Sequence, residues 1–255
     1  MSRATGVIAP IVFVAVLLLI WELLVRALNV PPYLLPAPSQ VFAALVANAP
    51  ILAASAWNTL SMALWALVIA SACAMTTAIL IAPNPLVEKA VRPVAVVLQV
   101  TPIVAIAPQV NIWAGLDHPE RAVAGLAAVV AFFPIFSGAL TGLNAVDADL
   151  ERLFDLYGAS RWHKLTRLRL PSAVPFLLEG HKVAAGLAVI GAVVAEFVSG
   201  SGGAQGLAWR ILEAANRLQT AKVFASIVVL GLMGALVHAA FQVLETWALR
   251  RWRGR

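Results

Sequence analysis

Apolar residues in this chain gather into six long runs, unlike the short one-faced stripes of a soluble helix. They cover residues 6–26, 57–82, 94–115, 121–143, 176–198 and 222–247. Each has about the 20 residues that a helix needs to cross a bilayer. The pattern predicts an all-α membrane protein with about six transmembrane helices. One domain is expected over 1–255, with its core at 57–247. Between the first two runs, Pro31, Pro32, Pro36 and Pro38 forbid a helix, so a loop is expected. Ser39 is placed to cap a short helix over 40–48.

Composition sharpens this. Of 255 residues, 62% are hydrophobic and 12% charged, where a soluble domain has about a quarter charged. The apolar excess must face something other than water, and lipid is the simplest candidate. The run Gly6–Val25 follows Met-Ser-Arg like a signal peptide, but it is span-length and no small-x-small site follows, so an uncleaved first span is expected. Cys73 is the one cysteine, which excludes an intrachain disulfide and a multi-cysteine metal site. Its apolar setting predicts a small buried packing residue.

The net charge of +6 describes topology. With six spans, twelve Lys and Arg fall on one side: Arg3, Lys89, Arg92, five between Arg152 and Arg169, and four from Arg250 onward. The other side holds five: Arg26, Arg121, Arg210, Arg217 and Lys222. Basic loops stay in the cytoplasm, so both termini are expected there, in a multi-pass inner-membrane protein. Basic charge spread in this way argues against a nucleic-acid partner. The largest loops are then a cytoplasmic one, 144–175, and an external one, 199–221. The latter opens on Ser199-Gly200-Ser201-Gly202-Gly203 and continues as a short surface helix from Leu207.

The cytoplasmic loop carries a second pattern. Leu150, Leu153, Phe154 and Tyr157 form one apolar stripe, which Gly158 interrupts. Ser160 can cap a second helix, with Trp162, Leu165 and Leu168 on one face and Arg161, Lys164 and Arg167 on another. Pro171 is expected to start a new direction. An apolar stripe outside the bilayer needs a cover. Lipid headgroups with the protein's own spans are one, and a cytosolic partner groove is the other.

Gly158, Leu168, Leu170 and Pro171 match the signature Glu-Ala-Ala-x3-Gly-x9-Ile-x-Leu-Pro of ABC importer permeases. Gly158-Ala159-Ser160-Arg161-Trp162, Leu35-Pro36-Ala37-Pro38-Ser39, Asn58-Thr59-Leu60, Thr101 to Pro108, Phe132-Phe133-Pro134-Ile135, Gly191 to Phe197 and Leu218-Gln219-Thr220 extend the likeness over nearly the whole chain. The sequence resembles the type I branch that serves nitrate, sulfonates, taurine and pyrimidine-type precursors. It departs where the family has Glu-Ala-Ala: here stand Arg152, Leu153 and Phe154, with Glu151 one place early and Asp155 where relatives are often basic.

The resemblance implies a non-catalytic permease subunit that couples to ATPase through Arg152, Leu153, Phe154, Tyr157, Gly158, Ala159, Ser160, Leu168, Leu170 and Pro171. It implies two copies of a cytosolic ATP-binding subunit, a second permease copy in a homodimer, and an external solute-binding protein. No Walker A motif occurs in the chain. ATP and magnesium therefore belong to the ATPase, and no cofactor is expected here.

Polar groups inside a span require a reason. The third run holds Gln99, Thr101, Pro102, Pro108, Gln109 and Asn111. A broken, pathway-lining helix explains them, as does hydrogen bonding between packed helices. Glu196, late in the fifth run, fits a gate contact, a solute contact or an interfacial carboxylate. Glu179 and Lys182 are spaced for a local ion pair, and His238 is expected to pack. Ala184, Ala185, Ala188 and Ala192, with Gly231, Gly234 and Ala235, permit close helix approach.

Two rivals remain. An ion-coupled carrier or channel would want ionisable groups at mid-membrane, and spans two, three, four and six have none centrally. A membrane enzyme or metal site could use Asp117, His118 and Glu120, for which a solvated turn is the simpler account. A pathway without a fixed cation favours a neutral or heteroaromatic solute.

Overall fold

The computed structural model describes residues 3–115, 117–199 and 205–253, and among these all regular structure is helical. In chain order the helices are α1 (Arg3–Ala27), α2 (Pro38–Ala47), α3 (Ala49–Ile81), α4 (Pro85–Val100), α5 (Ile103–Ala114) and α6 (Pro119–Asn144). There follow α7 (Ala148–Leu156), α8 (Arg161–Lys164), a π-helical turn (Leu165–Arg169), α9 (Leu170–Ser199), α10 (Leu207–Asn216) and α11 (Thr220–Arg253). The expected glycine run Gly200–Gly203 lies outside the described residues.

Five helical stretches are long and apolar enough to cross a membrane: Ile8–Ala27, Ala49–Ile81, Pro119–Asn144, Arg161–Ser199 and Thr220–Trp252. The third expected span, 94–115, is two helices that meet at Thr101–Pro102. At 1.5 Å per residue, α4 and α5 reach about 24 and 18 Å, each short of a hydrocarbon core of about 30 Å. Together they suffice.

The chain forms two compact units, one of residues 3–57 and 205–232, the other of 58–199 and 233–253. In the first, α2 starts differently from the expectation. Ser39 does not cap it; Ala37 occupies the N-cap, with Pro38 next, and the Ala37 N–H donates to Gln40 Oε1 at 3.0 Å. Ser39, one residue inside the helix, donates its N–H (3.0 Å) and hydroxyl (2.8 Å) to Glu22 of α1. A carboxylate from another helix thus meets the positive end of α2, and Arg26 Nε holds it at 2.7 Å. Thr220 Oγ1 donates to the Tyr33 carbonyl (2.8 Å), and Arg210 Nε to Ser55 Oγ (2.9 Å).

In the second unit α6 and α9 form the core. Small residues let their backbones touch: a Cβ on Gly138 would lie 2.7 Å from the Phe176 carbonyl oxygen, and one on Gly180 2.7 Å from that of Pro134. Ala184, Ala185, Ala188 and Ala192 are buried. In α11 the outcome differs. Gly231 and Ala235 are exposed, and nothing lies within 4 Å of a Cβ on Gly231 or Gly234. His238, expected to pack, is exposed too.

Two further expectations are corrected. Pro171 does not redirect the chain, because helix continues from Arg161 to Ser199. The π turn widens the coil just before it, with Leu170 donating to the Leu165 carbonyl five residues back. That wider turn accommodates a proline ring that would otherwise press on the carbonyl four residues earlier. Cys73 is exposed instead of buried in packing.

Candidate functional site

The break at Thr101–Pro102 follows from local chemistry. Pro102 has no N–H to continue α4 and takes an extended conformation (φ −63°, ψ 112°) as the N-cap of α5. Thr101 turns its hydroxyl back to the Val97 carbonyl at 2.9 Å. Gln99 and Thr101 then line a cavity of about 670 Å³. Its other walls include Cys73 of α3, Ile106 of α5, Phe132 and Phe133 of α6, and Leu187 of α9. The wall is apolar and aromatic, with Gln99 and Thr101 as its amide and hydroxyl. No charged side chain among the described residues lines it.

Phe132 stands edge-on to Phe133 at 5.2 Å and stacks on Phe136 at 5.4 Å, 13° from parallel. Gln99 and Phe133 also border a neighbouring cavity of about 360 Å³, to which Arg92 contributes. That guanidinium is already engaged, with Nη2 and Nε 2.6 and 2.8 Å from Glu88 Oε1. The other Glu88 oxygen accepts from Asn144 at 2.9 Å.

The remaining polar candidates of the third and fifth runs lie elsewhere. Gln109 is exposed and away from both cavities. Asn111 Oδ1 accepts from Ser199 Oγ at 3.1 Å, a bond from α5 to the end of α9. Glu196 is only 3% exposed, and Thr59 Oγ1 donates to it at 2.7 Å. An interfacial carboxylate reaching water does not describe it. Thr59 is itself buried.

The 144–175 loop forms a compact elbow. Asp147 caps α7, accepting from the Asp149 N–H at 2.8 Å. Gly158 turns the chain with φ +64°, and its N–H donates to the Asp155 carbonyl at 2.9 Å. Ser160 caps α8, accepting from the His163 N–H at 3.3 Å. Leu168 is buried, and Phe154, Ala159, Leu170 and Pro171 are half-buried, while Arg152, Leu153 and Tyr157 are exposed. His118, the N-cap of α6, has Nδ1 3.1 Å from Glu120 Oε1, with both side chains half-exposed.

Residues 70–254 match the family described as binding-protein-dependent transport system inner membrane component. The chain belongs to this family. It is similar to the formylaminopyrimidine transport permease ThiX of Halalkalibacterium halodurans, at 31% identity over 99% of each chain. It is also similar to the taurine transport system permease TauC of Escherichia coli, at 27% identity over 94% of this chain and 88% of TauC. A crystal structure of an amino acid ABC transporter with histidines shares the fold, with a TM-score of 0.64 and 14% identity over 82% of this chain and 98% of that one. The protein is a multi-pass inner-membrane ABC importer permease.

Three features of this permease were not singled out as chemistry by sequence. Phe132 and Phe133 stand in an apolar helix where only packing distinguishes a wall from a core residue. Cys73 faces the cavity for the same reason. Serine and histidine contribute a third: His181 Nδ1 lies 2.7 Å from the Leu177 carbonyl, and Nε2 lies 2.8 Å from Ser71 Oγ. A carbonyl only accepts, so Nδ1 carries a proton, and in the neutral ring Nε2 then accepts from Ser71.

Proposed function

We propose that the Gln99–Thr101 cavity is this chain's share of the translocation pathway, and that the solute passing it is neutral, planar and heteroaromatic. The observation that carries the reading is the cavity wall: aromatic faces, one amide and one hydroxyl, without a charge. An anion such as a sulfonate or nitrate gains from a fixed cation along its path. A flat ring gains instead from phenylalanine faces, and its ring nitrogens or carbonyls from the Gln99 amide, which both donates and accepts. The name of ThiX, a formylaminopyrimidine permease, agrees with this choice. That of TauC, a taurine permease, supplies the contrast.

Two copies of the chain face each other, each interrupted third span offering its cavity to a shared pathway. Basic residues set both termini and the 144–175 loop in the cytoplasm. An external binding protein delivers the solute. Two cytosolic ATP-binding subunits take up the elbow at 148–170, and their closure on ATP rocks the spans between inward- and outward-facing states. ATP and magnesium sit on those subunits.

The test is uptake into proteoliposomes that contain the permease, its ATPase and its binding protein. ATP-dependent uptake of a labelled aminopyrimidine is expected, with taurine transported at least about tenfold less well, the equivalent of 1.4 kcal/mol. Gln99→Ala and Phe133→Ala should lower solute-stimulated ATP hydrolysis while the complex still assembles. Uptake that survives removal of ATP and disappears with an ion gradient would establish the carrier reading in its place.

A further inference from the structure

Two helix faces meet beside the Gln99–Thr101 cavity. On α4, Glu88, Arg92 and Gln99 recur at helical spacing, which puts them on one side of the helix. On α6, Phe133, Ser137, Leu140 and Asn144 do the same. Arg92, Gln99, Phe133, Ser137 and Leu140 all line the cavity of about 360 Å³ between these faces. Gln99 and Phe133 border the larger cavity as well, so the smaller one continues it. Arg92 stands two helical turns from Gln99, about 10 Å, toward the end of α6 from which the 144–175 loop starts.

Among the described residues Arg92 is the only charged side chain that lines either cavity. Its fork is occupied. Nη2 and Nε both donate to Glu88 Oε1, at 2.6 and 2.8 Å, and Asn144 Nδ2 donates to Oε2 at 2.9 Å from 56 residues further along the chain. An ordinary i, i+4 pair on a helix surface leaves its carboxylate in water, where the pair contributes little. Here the Glu88 side chain is only 15% exposed while that of Arg92 is 54% exposed, and a second helix holds the carboxylate's other oxygen. That tether keeps Glu88 against Arg92. The guanidinium then has no net charge to offer the cavity, and Glu88 is its only ion-pair partner among the described residues.

We propose that Glu88 is a specificity-determining residue of the pathway: it masks the charge of Arg92, so that the inner segment of the route attracts no anion. The proposal rests on reading the Gln99–Thr101 cavity as the pathway and residues 144–175 as cytoplasmic. A bare guanidinium at this place would bind a sulfonate or nitrate through its paired N–H groups. With Glu88 present, an arriving anion must first displace a carboxylate that two helices hold. A neutral heteroaromatic solute meets no such competition, because it needs no cation. Asn144 is a positioning residue that acts through Glu88.

Cys73 supplies the reporter, because it is the chain's one cysteine and lines the larger cavity. The permease and its ATPase are placed in nanodiscs without solute or binding protein. Two membrane-impermeant methanethiosulfonates are then compared, the anionic sulfonatoethyl and the cationic trimethylammonioethyl reagent, with labelling followed by the intact mass of the permease. The ratio of anionic to cationic rate reports the potential along the route. Glu88→Gln should raise this ratio at least about tenfold over wild type, as a focused field of one sign does. Arg92→Gln should lower it below the wild-type value, and the double change should bring it back close to wild type. Asn144→Leu should shift it in the direction of Glu88→Gln by a smaller factor. Salt at about 1 M, which screens charges beyond about 3 Å, should remove most of each shift. A merely structural pair would move both rates together, and an unchanged ratio overturns the mask. So does a shift that survives high salt, since access instead of charge would then be its cause. Size-exclusion profiles show whether Glu88→Gln assembles; where it does not, the opposite shift in Arg92→Gln decides. Cys73 that reacts with neither reagent, with or without ATP, removes the cavity as a pathway and with it the reading beneath the proposal. Ready reaction at one ratio in all variants removes the mask alone.

Discussion

Lys182 Nζ of α9 lies 3.1 Å from Glu245 Oε2 of α11 and 2.7 Å from Glu179 Oε2 one turn earlier on its own helix. The i, i+3 spacing makes the Glu179 pair legible in sequence, and the fold adds the second carboxylate from 63 residues further on. One cation therefore ties two helices. Lys182→Met leaves two carboxylates facing each other without a counter-charge, whereas Glu245→Gln leaves the local pair intact. The expected order of thermal stability in detergent is wild type, then Glu245→Gln, then Lys182→Met. Equal melting of all three would show that the tie contributes nothing.

Gly138 and Gly180 predict a different failure. A methyl group at either would meet a backbone carbonyl at 2.7 Å, and a backbone cannot rotate away as a side chain can. Overpacking of this kind costs about 1–3 kcal/mol. Gly138→Ala and Gly180→Ala should each lower the melting temperature, and Gly186→Ala, with nothing within 4 Å, should not. A Gly186→Ala variant as unstable as the other two would remove close approach as the cause.

The success and failure of sequence reading divide along physical lines. Prolines act locally, so the gap at residues 31–36 and the break at Pro102 could be read from the chain. Pro171 was misleading because its consequence depends on the hydrogen-bond register before it, and the Leu165–Arg169 turn changes that register. Cys73, Phe132 and His238 show a second limit. In a span that is apolar on every side, composition cannot distinguish packing from a cavity wall or an exposed face. Ser39 shows a third: its partner Glu22 lies on another helix, and no local pattern announces it. The ion pairs of Glu151 with Arg169 and of Asp155 with Lys164 cross a turn whose angle the sequence does not state.

Glu213 links pH to the stability of α10. Its carboxyl is held below the usual value of 4.5, first by the hydrogen bond from Arg210 and then by the charges of Arg210, Lys222 and Arg217. Arg210 Nη1 and Arg217 Nη2 approach it at 2.9 and 3.1 Å. A carboxyl whose folded pKa lies below its unfolded pKa binds fewer protons when folded, so it stabilises the fold above the unfolded pKa. That contribution is lost as pH falls through the folded pKa. Amide protection factors in α10, corrected for the intrinsic exchange rate at each pH, should therefore fall as the pH drops below about 4.5, and Glu213→Gln should flatten this part of the profile. An unchanged profile in Glu213→Gln would assign the acid response to another carboxylate.

Gly158 separates backbone strain from crowding. Its φ of +64° lies in the left-handed region, and no atom lies within 4 Å of a Cβ built there. Any penalty on substitution therefore comes from the backbone alone, about 1–2 kcal/mol for an ordinary L-residue. Asn tolerates this conformation better than Ala, and a β-branched Val tolerates it worst. Amide protection across residues 148–164 should fall from wild type through Gly158→Asn and Gly158→Ala to Gly158→Val, and solute-stimulated ATP hydrolysis should follow the same order. Steric bulk alone would rank Asn with Val, since the two are similar in size. An elbow as loose in Gly158→Asn as in Gly158→Val would mean that the turn leaves the left-handed region in the working transporter, and the compact elbow of α7 and α8 would have to be abandoned.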